Sequence, residues 1–274
     1  MTSTSSCPRA KPPLVAIKGL AFDMFGTTVD WRTSVVQELT LRAHRKQAGA
    51  ISDSLKERLQ SLAEQDWGRF AQEWRNSYME FVKAFDADRD AWKTIDEHHY
   101  GALVRLLDSW GLRGLYTESE MESLSLVWHR LSPWPDAVGG LARLRERGVK
   151  LVTLSNGNEE LVRDLVDFGA MEFDALFCAE TFGLYKPHPG TYLGVVREMA
   201  LEPSQVAMVA CHMKDLKGAR ACGLRTIYVE RPLEEDMDKN GDEFNEARNW
   251  VDLWVGEHEA GFDTMAERLL DFVQ

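Results

Sequence analysis

Apolar positions along the chain keep two different periods, and the change from one to the other divides it. The run Val15-Ala16-Ile17-Lys18-Gly19-Leu20-Ala21-Phe22 is almost continuously apolar and ends on Asp23, after which Met24-Phe25-Gly26-Thr27-Thr28 turns polar and acquires a glycine. A short apolar run closed by such a turn signal predicts a buried strand. Beyond it, Leu55, Leu59, Leu62, Phe70, Trp74, Phe81 and Phe85 recur mostly three or four residues apart, and Ile95, Ala102, Leu103, Leu106, Leu107 and Trp110 do the same. That spacing places them on helical stripes, so residues 33–112 read as an all-helical block.

From Thr117, which with Glu120 makes a capping-box pattern, helix and strand alternate. Helices are expected at 136–147, closed by Gly148, and at 159–168, closed by Gly169, with strands at 149–154 and 175–179. A helix at about 190–199 follows, then strands at 206–211 and 225–229 separated by a helix ending at Gly223. Residues 253–255 suit an added edge strand and 263–272 a closing helix. This alternation predicts an α/β fold with a doubly wound, Rossmann-like parallel sheet. Residues 14–32 and 113–274 form that core, and 33–112 are inserted above the strand ends as a helical cap domain. The stretch 1–13, MTSTSSCPRAKPP, reads as a disordered tail without a targeting run, and the acidic stretch 230–246 as a solvated surface excursion. No internal repeat is present.

Composition narrows the partners. A length of 274 residues with 44% hydrophobic content supports one large domain or two coupled ones. The net charge of -12 argues against nucleic acid and anionic membranes, which are bound mainly through Lys and Arg. No segment approaches the roughly 20 apolar residues of a membrane helix. Cys7, Cys178, Cys211 and Cys222 form no CxxC pair and no zinc pattern, so free thiols in a reducing, cytoplasmic setting are expected.

Four strand ends carry polar groups that an open α/β sheet would gather in one crevice: Asp23 with Thr27, Ser155 with Asn156, Lys186, and His212 with Asp215. In their order and spacing, the strings FDMFGT, LSNGN, YKPHPGTY and the DLKGARACG near His212 resemble the haloacid dehalogenase superfamily, and within it the type II 2-haloacid dehalogenases, from about residue 18 to 272. The resemblance implies a Rossmann-like core, a helical cap and hydrolysis through an aspartyl ester. EWRNSYMEF resembles the cap helix whose arginine, here Arg75, receives the leaving halide.

On this reading Asp23 attacks the substrate carbon in line, and water then cleaves the ester. Aspartate-based phosphatases usually carry a second acid two residues on; a halide needs no proton, so Phe25 can stand there. Lys186 would keep Asp23 ionised. Thr27, Ser155 and Asn156 would hydrogen-bond the nucleophile or the substrate carboxylate, and Tyr192 resembles a tyrosine lining the family's site. Of the cap aromatics Trp67, Phe70, Trp74, Tyr78 and Phe81, most are expected in the cap core and one or two at the crevice; Phe25, Trp74, Tyr192 and Asn156 are the candidate substrate contacts. Magnesium-dependent relatives use an acidic pair after the fourth strand, where this chain reads Ala210-Cys211-His212 and keeps only Asp215, so neither a metal nor another cofactor is expected.

One departure stands out. Well-matched relatives carry a hydroxyl and an amide at the positions of Ala210 and His212, which makes His212, with Asp215, a candidate base for the ester-cleaving water. The leading expectation is therefore a metal-independent 2-haloacid dehalogenase acting on a small 2-substituted carboxylic acid. Rivals are a carbon–nitrogen hydrolase of the azetidine-2-carboxylate type, a phosphatase of the same superfamily and a catalytically silent binding protein. Exposed cap aromatics would support a homodimer.

Overall fold

The computed structural model describes residues 14–86 and 88–270, so the expected tail 1–13, Cys7 and the last residues of the closing helix lie outside the described residues. Six parallel strands form the central sheet: β1 (Gly19–Phe22), β4 (Lys150–Ser155), β5 (Ala175–Cys178), β6 (Val206–Ala210), β7 (Arg225–Val229) and β8 (Leu253–Val255). Their order is β5-β4-β1-β6-β7-β8. The chain thus builds outward from β1 in one direction and then in the other, and the reversal leaves a crevice beyond the C-terminal end of β1.

β1 is apolar throughout because both of its faces are covered. Leu20 and Phe22 point into one core, with Leu141 and Leu144 of α6 (Ala137–Glu146), Leu161 and Leu165 of α7 (Glu159–Phe168) and Phe262 of α12 (Gly261–Leu270). Ala21 points to the other, with Tyr192 and Val195 of α9 (Pro189–Glu198), Leu216 of α10 (Met213–Ala221) and Phe244 of α11 (Asp242–Trp250). A short helix, α8 (Ala179–Phe182), follows β5.

Between β1 and β4 the chain leaves the sheet through β2 (Val29–Asp30) and returns through β3 (Ser132–Pro133), which pair antiparallel. The regular elements between them, among the described residues, are all helices: α1 (Trp31–Gln47), α2 (Asp53–Gln60), α3 (Glu64–Ala84), α4 (Ile95–Ser109), α5 (Glu118–Ser125) and a 3-10 turn, Leu126–His129. The helical stretch therefore runs past residue 112; Thr117 and Glu120 do form a reciprocal capping box, and the helix it starts, α5, belongs to this stretch. Asp30 caps α1 by accepting from the Thr33 N–H.

Two differences from the sequence pattern bear on the site. The strand of the first apolar run starts only at Gly19, after a 3-10 turn over Leu14–Ala16. The acidic stretch is no solvated loop throughout: Glu234 is 7% exposed, and part of the remainder folds as α11.

Candidate active site

Asp23 follows β1 directly, and its N–H continues the sheet ladder by donating to the Val209 carbonyl at 3.0 Å. The Thr27 hydroxyl donates to Asp23 Oδ2 at 2.7 Å and accepts from the Cys211 N–H at 3.0 Å, while the Thr28 hydroxyl donates to the Asp23 carbonyl at 2.7 Å. Lys186 Nζ donates to Asp23 Oδ1 at 2.8 Å and to Asp215 Oδ2 at 2.5 Å. The second Asp215 oxygen accepts from the Tyr192 hydroxyl at 2.6 Å. This cluster is buried, and its charges and lone pairs are matched inside the protein.

The charges set the protonation states. Burial alone would raise Asp23, but the Lys186 ammonium, with the hydrogen bond and charge of His212, holds it well below the usual carboxylate range. For Lys186 burial opposes the charge, and Asp215 and Asp23 overcome it, so the ammonium persists far above neutrality. Asp215 is raised, by burial first and then by the neighbouring Asp23, against the pull of Lys186. The outcome is an ionised, hydrogen-bonded carboxylate at a strand end, oriented for attack.

Several candidates act at one remove from that carboxylate. Asn156 clasps the Lys186 backbone: its Oδ1 accepts from the Lys186 N–H at 2.7 Å and its Nδ2 donates to the Lys186 carbonyl at 3.2 Å. The Ser155 hydroxyl accepts from the Gly157 N–H at 3.1 Å, a local turn bond. Neither is bonded to Asp23, so of the two expected contacts, to the nucleophile or to a substrate carboxylate, the first is not made, and both side chains hold the loops beside it. Tyr192, fully buried, is likewise corrected from a wall of the site to a support of Asp215. Trp74 is the clearest misplacement. It is completely buried, donates from Nε1 to the His99 carbonyl at 3.0 Å and packs edge-on against Trp128, away from the crevice.

Trp31 takes the place expected of Trp74. With Arg75, Met79, His212 and Glu234 it lines a crevice of about 220 Å3 between α3 and the loop after β7. Arg75 is 8% exposed and caged by aromatic faces, its guanidinium carbon 4.8 Å from the Tyr78 ring centre and 5.6 Å from those of Phe25 and Trp31. No hydrogen bond or ion pair from the described residues meets this guanidinium. Glu234 shares the crevice and feels the Arg75 charge but is not paired to it, and a buried cation without a bonded counter-ion is a receptor for an anion.

At the other edge of the crevice stands His212, whose Nδ1 is 3.4 Å from Asp23 Oδ2 and whose Nε2 is 3.5 Å from Glu234 Oε2. Asp215 is not its partner, because both Asp215 oxygens are taken by Lys186 and Tyr192. Burial opposes a charge on the ring, yet the imidazole is held protonated well above its ordinary 6.5. Against burial, the neighbouring Cys211 sulfur and the hydrogen bonds to Asp23 and Glu234 raise the ring, while burial pushes the Cys211 thiol itself up. With Asp23 ionised His212 carries its second proton, and of the expectation that it works with Asp215 the pairing is corrected: its partners are Asp23 and Glu234.

Glu234 had no sequence signal beyond its place in a charge run. Room for it comes from Gly26, whose φ of +84° favours glycine and where an added Cβ would sit 2.1 Å from Glu234 Oε2.

Donor atoms of Asp23, Cys211 and His212 lie within 4.8 Å of one another. They do not fit a divalent cation. Lys186 and Thr27 engage both Asp23 oxygens, burial keeps the thiol neutral, and of the other nearby acids Asp215 is saturated and Glu234 faces the far nitrogen of His212. Magnesium needs several free oxygen ligands, and zinc would need the thiolate.

A sequence profile described as haloacid dehalogenase-like hydrolase matches residues 17–223. Among curated relatives, (S)-2-haloacid dehalogenase 1 of Pseudomonas sp. (strain CBS-3) is 29% identical over 220 residues, covering 78% of this chain and 85% of the relative. Haloacetate dehalogenase H-2 of Moraxella sp. (strain B) is 27% identical, covering 78% and 86%. The crystal structure of the L-2-haloacid dehalogenase PA0810 superposes with a TM-score of 0.74 at 30% identity, covering 92% of this chain and 99% of that one. A match of this extent, on a doubly wound sheet with a helical cap, settles the family: the chain belongs to the haloacid dehalogenase-like hydrolases.

Proposed function

We propose that this hydrolase cleaves the carbon–halogen bond of small 2-haloacids through an ester on Asp23, without a metal ion. The carboxylate attacks the halogen-bearing carbon, and the bonding pair leaves with the halide. Water then adds to the ester carbonyl, releasing the 2-hydroxy acid and regenerating Asp23. The observation that carries this reading is Arg75: buried, aromatic-caged and unpaired among the described residues, on a crevice beside an ionised strand-end aspartate. It offers an always-charged site to a departing anion, and Phe25 leaves no acid for a phosphate leaving group. The names of the relatives and structural neighbours point the same way.

The test is halide release from each enantiomer of 2-chloropropionate, with and without EDTA. Stoichiometric halide and 2-hydroxy acid, unchanged by chelator, support the reading; no halide from either enantiomer, or strict magnesium dependence, refutes it. One observation keeps a second reading in view. The imidazolium of His212 beside Asp23 could serve a reaction whose leaving group is an amine, so azetidine-2-carboxylate belongs in the same assay. Ring opening without halide release would replace the first reading by the second.

A further inference from the structure

The crevice contains a pair that the ester reading leaves unused. His212 sits at the N-terminal boundary of α10, its ring 22% exposed, with one nitrogen toward Asp23 and the other toward Glu234. Glu234 arrives from the loop after β7, 4% exposed at its side chain, and fits because Gly26 has no Cβ. The neighbouring Glu235 anchors that loop, its Oε2 accepting from the Met213 N–H at 2.8 Å and its Oε1 from the Met237 N–H at 2.8 Å. A carboxylate is thus delivered to the far nitrogen of a histidine whose near nitrogen faces the nucleophile. In such an arrangement the carboxylate fixes which nitrogen keeps the proton.

Resting on the ester reading above, we propose that Glu234 is a positioning residue that keeps the proton on His212 Nε2, so that Nδ1 becomes the base for ester cleavage once Asp23 has been alkylated. The ring plays two successive parts. While Asp23 is ionised, two carboxylates flank the ring and it is an imidazolium, a further cation beside the nucleophile. Ester formation removes the Asp23 charge, and only Glu234 still supports the second proton. Other groups around the ring do not replace that charge: the Cys211 thiol is neutral, and Arg75, Glu80 and Asp236 line the crevice without pairing to the ring.

The balance closes. The imidazolium of the ester form loses its Nδ1 proton to solvent through the crevice, which accounts for the acid equivalent of the overall reaction. Nδ1 then takes a proton from the water that adds to the Asp23 carbonyl carbon. The tetrahedral adduct collapses, the carbon–oxygen bond to product breaks, and the product oxygen leaves with that proton. The carboxylic acid so formed passes its proton to Nδ1, restoring ionised Asp23 and the imidazolium.

Rapid quench with excess enzyme, following halide and the mass of the Asp23 peptide, separates the two half-reactions. In the wild type both occur. In His212→Gln we expect a halide burst of one equivalent, followed by ester cleavage slowed by about 10²-fold or more, with the ester trapped on Asp23. Glu234→Gln keeps the shape against Gly26 and removes the charge. Its burst persists, while the acid limb of ester cleavage moves down by about 1 pH unit or more, because a carboxylate next to the ring no longer supports the proton. A purely structural role would lower the rate at every pH without moving the limb. The proposal is overturned if His212→Gln cleaves the ester at the wild-type rate or loses the burst with the turnover, or if Glu234→Gln leaves the limb in place. A wild type that releases no halide and forms no ester sinks the underlying reading instead.

Discussion

The two walls of the crevice hold their charges in opposite ways. On the sheet side Asp23, Lys186 and Asp215, backed by the buried Tyr192 hydroxyl, form a closed chain in which each charge meets a partner at 2.5 to 2.8 Å. On the cap side Arg75 lies as deeply buried but meets only the faces of Tyr78, Phe25 and Trp31. The completed wall costs nothing further to organise when substrate arrives; the incomplete one is finished only by an anion from outside. The difference teaches which wall supplies the nucleophile and which awaits the leaving group.

Breaking the completed wall has the largest effect expected here. Lys186→Met leaves two buried carboxylates facing each other, and losing one partner of a buried pair costs roughly 3–5 kcal/mol. Halide release should fall by about 10³-fold. The Asp23 carboxyl should rise toward its ordinary range, so an acid limb absent from the wild type appears in the rate of the halide burst. A burst with wild-type rate and pH dependence would show that Lys186 does not hold the nucleophile ionised.

On the incomplete wall the change is smaller. Arg75→Lys keeps a charge but loses the planar fork and the stacking on three rings. Halide burst rates should fall by about 10²-fold, with cleavage of preformed ester little altered. Slowing of both steps alike would remove the distinction between the walls.

The seam joining the walls should show itself in stability and in its pH dependence. His129 bonds Asp96 of α4 at 2.9 Å and Asp164 of α7 at 2.7 Å, tying the helical stretch to the sheet side. Burial opposes the charge on His129, but the two aspartates outweigh it and raise the imidazole above its ordinary 6.5. A raised histidine contributes stability that is fully present below the unfolded value and is lost as pH rises through the folded one. Because Asp164 is half exposed, His129→Gln should cost about 1–2 kcal/mol at pH 5.5 and less above neutrality, read from denaturant midpoints across pH. Equal losses at both ends of the range would disprove the latch. Smallest is Tyr192→Phe, which frees one Asp215 oxygen and should slow halide release about fivefold, the worth of one hydrogen bond.

Much of this arrangement was legible from residue order, for a physical reason. Strands buried on both faces must be apolar, so a polar residue where such a run stops stands out; Asp23 and His212 announced themselves in this way, whereas the roles of Thr27, Lys186, Asp215 and Arg75 came from the family resemblance of the strings that hold them. The helix Glu159–Phe168 and the strand Arg225–Val229 have the bounds that their apolar periods and closing glycines imply. Trp74 was misplaced although the geometry could have warned against it. Neighbours on a helix point about 100° apart, so if Arg75 faces the crevice the residue before it faces the packed side. Glu234 could not have been found, since one buried carboxylate within a run of acids differs from the others only through the tertiary approach to Gly26. Asn156 and Ser155 were legible as a strand-end pair, but whether such groups touch the nucleophile or the loop beside it depends on a turn of one residue.

The account depends on a carbon–oxygen bond forming at Asp23, and one turnover in heavy-oxygen water tests that bond directly. With enzyme in excess over 2-chloropropionate, the first product should carry an ordinary oxygen taken from Asp23, and the heavy atom should appear in the Asp23 carboxyl group. Heavy oxygen in the first product with none in Asp23 would mean that water attacks the substrate itself, and the ester would have to be abandoned.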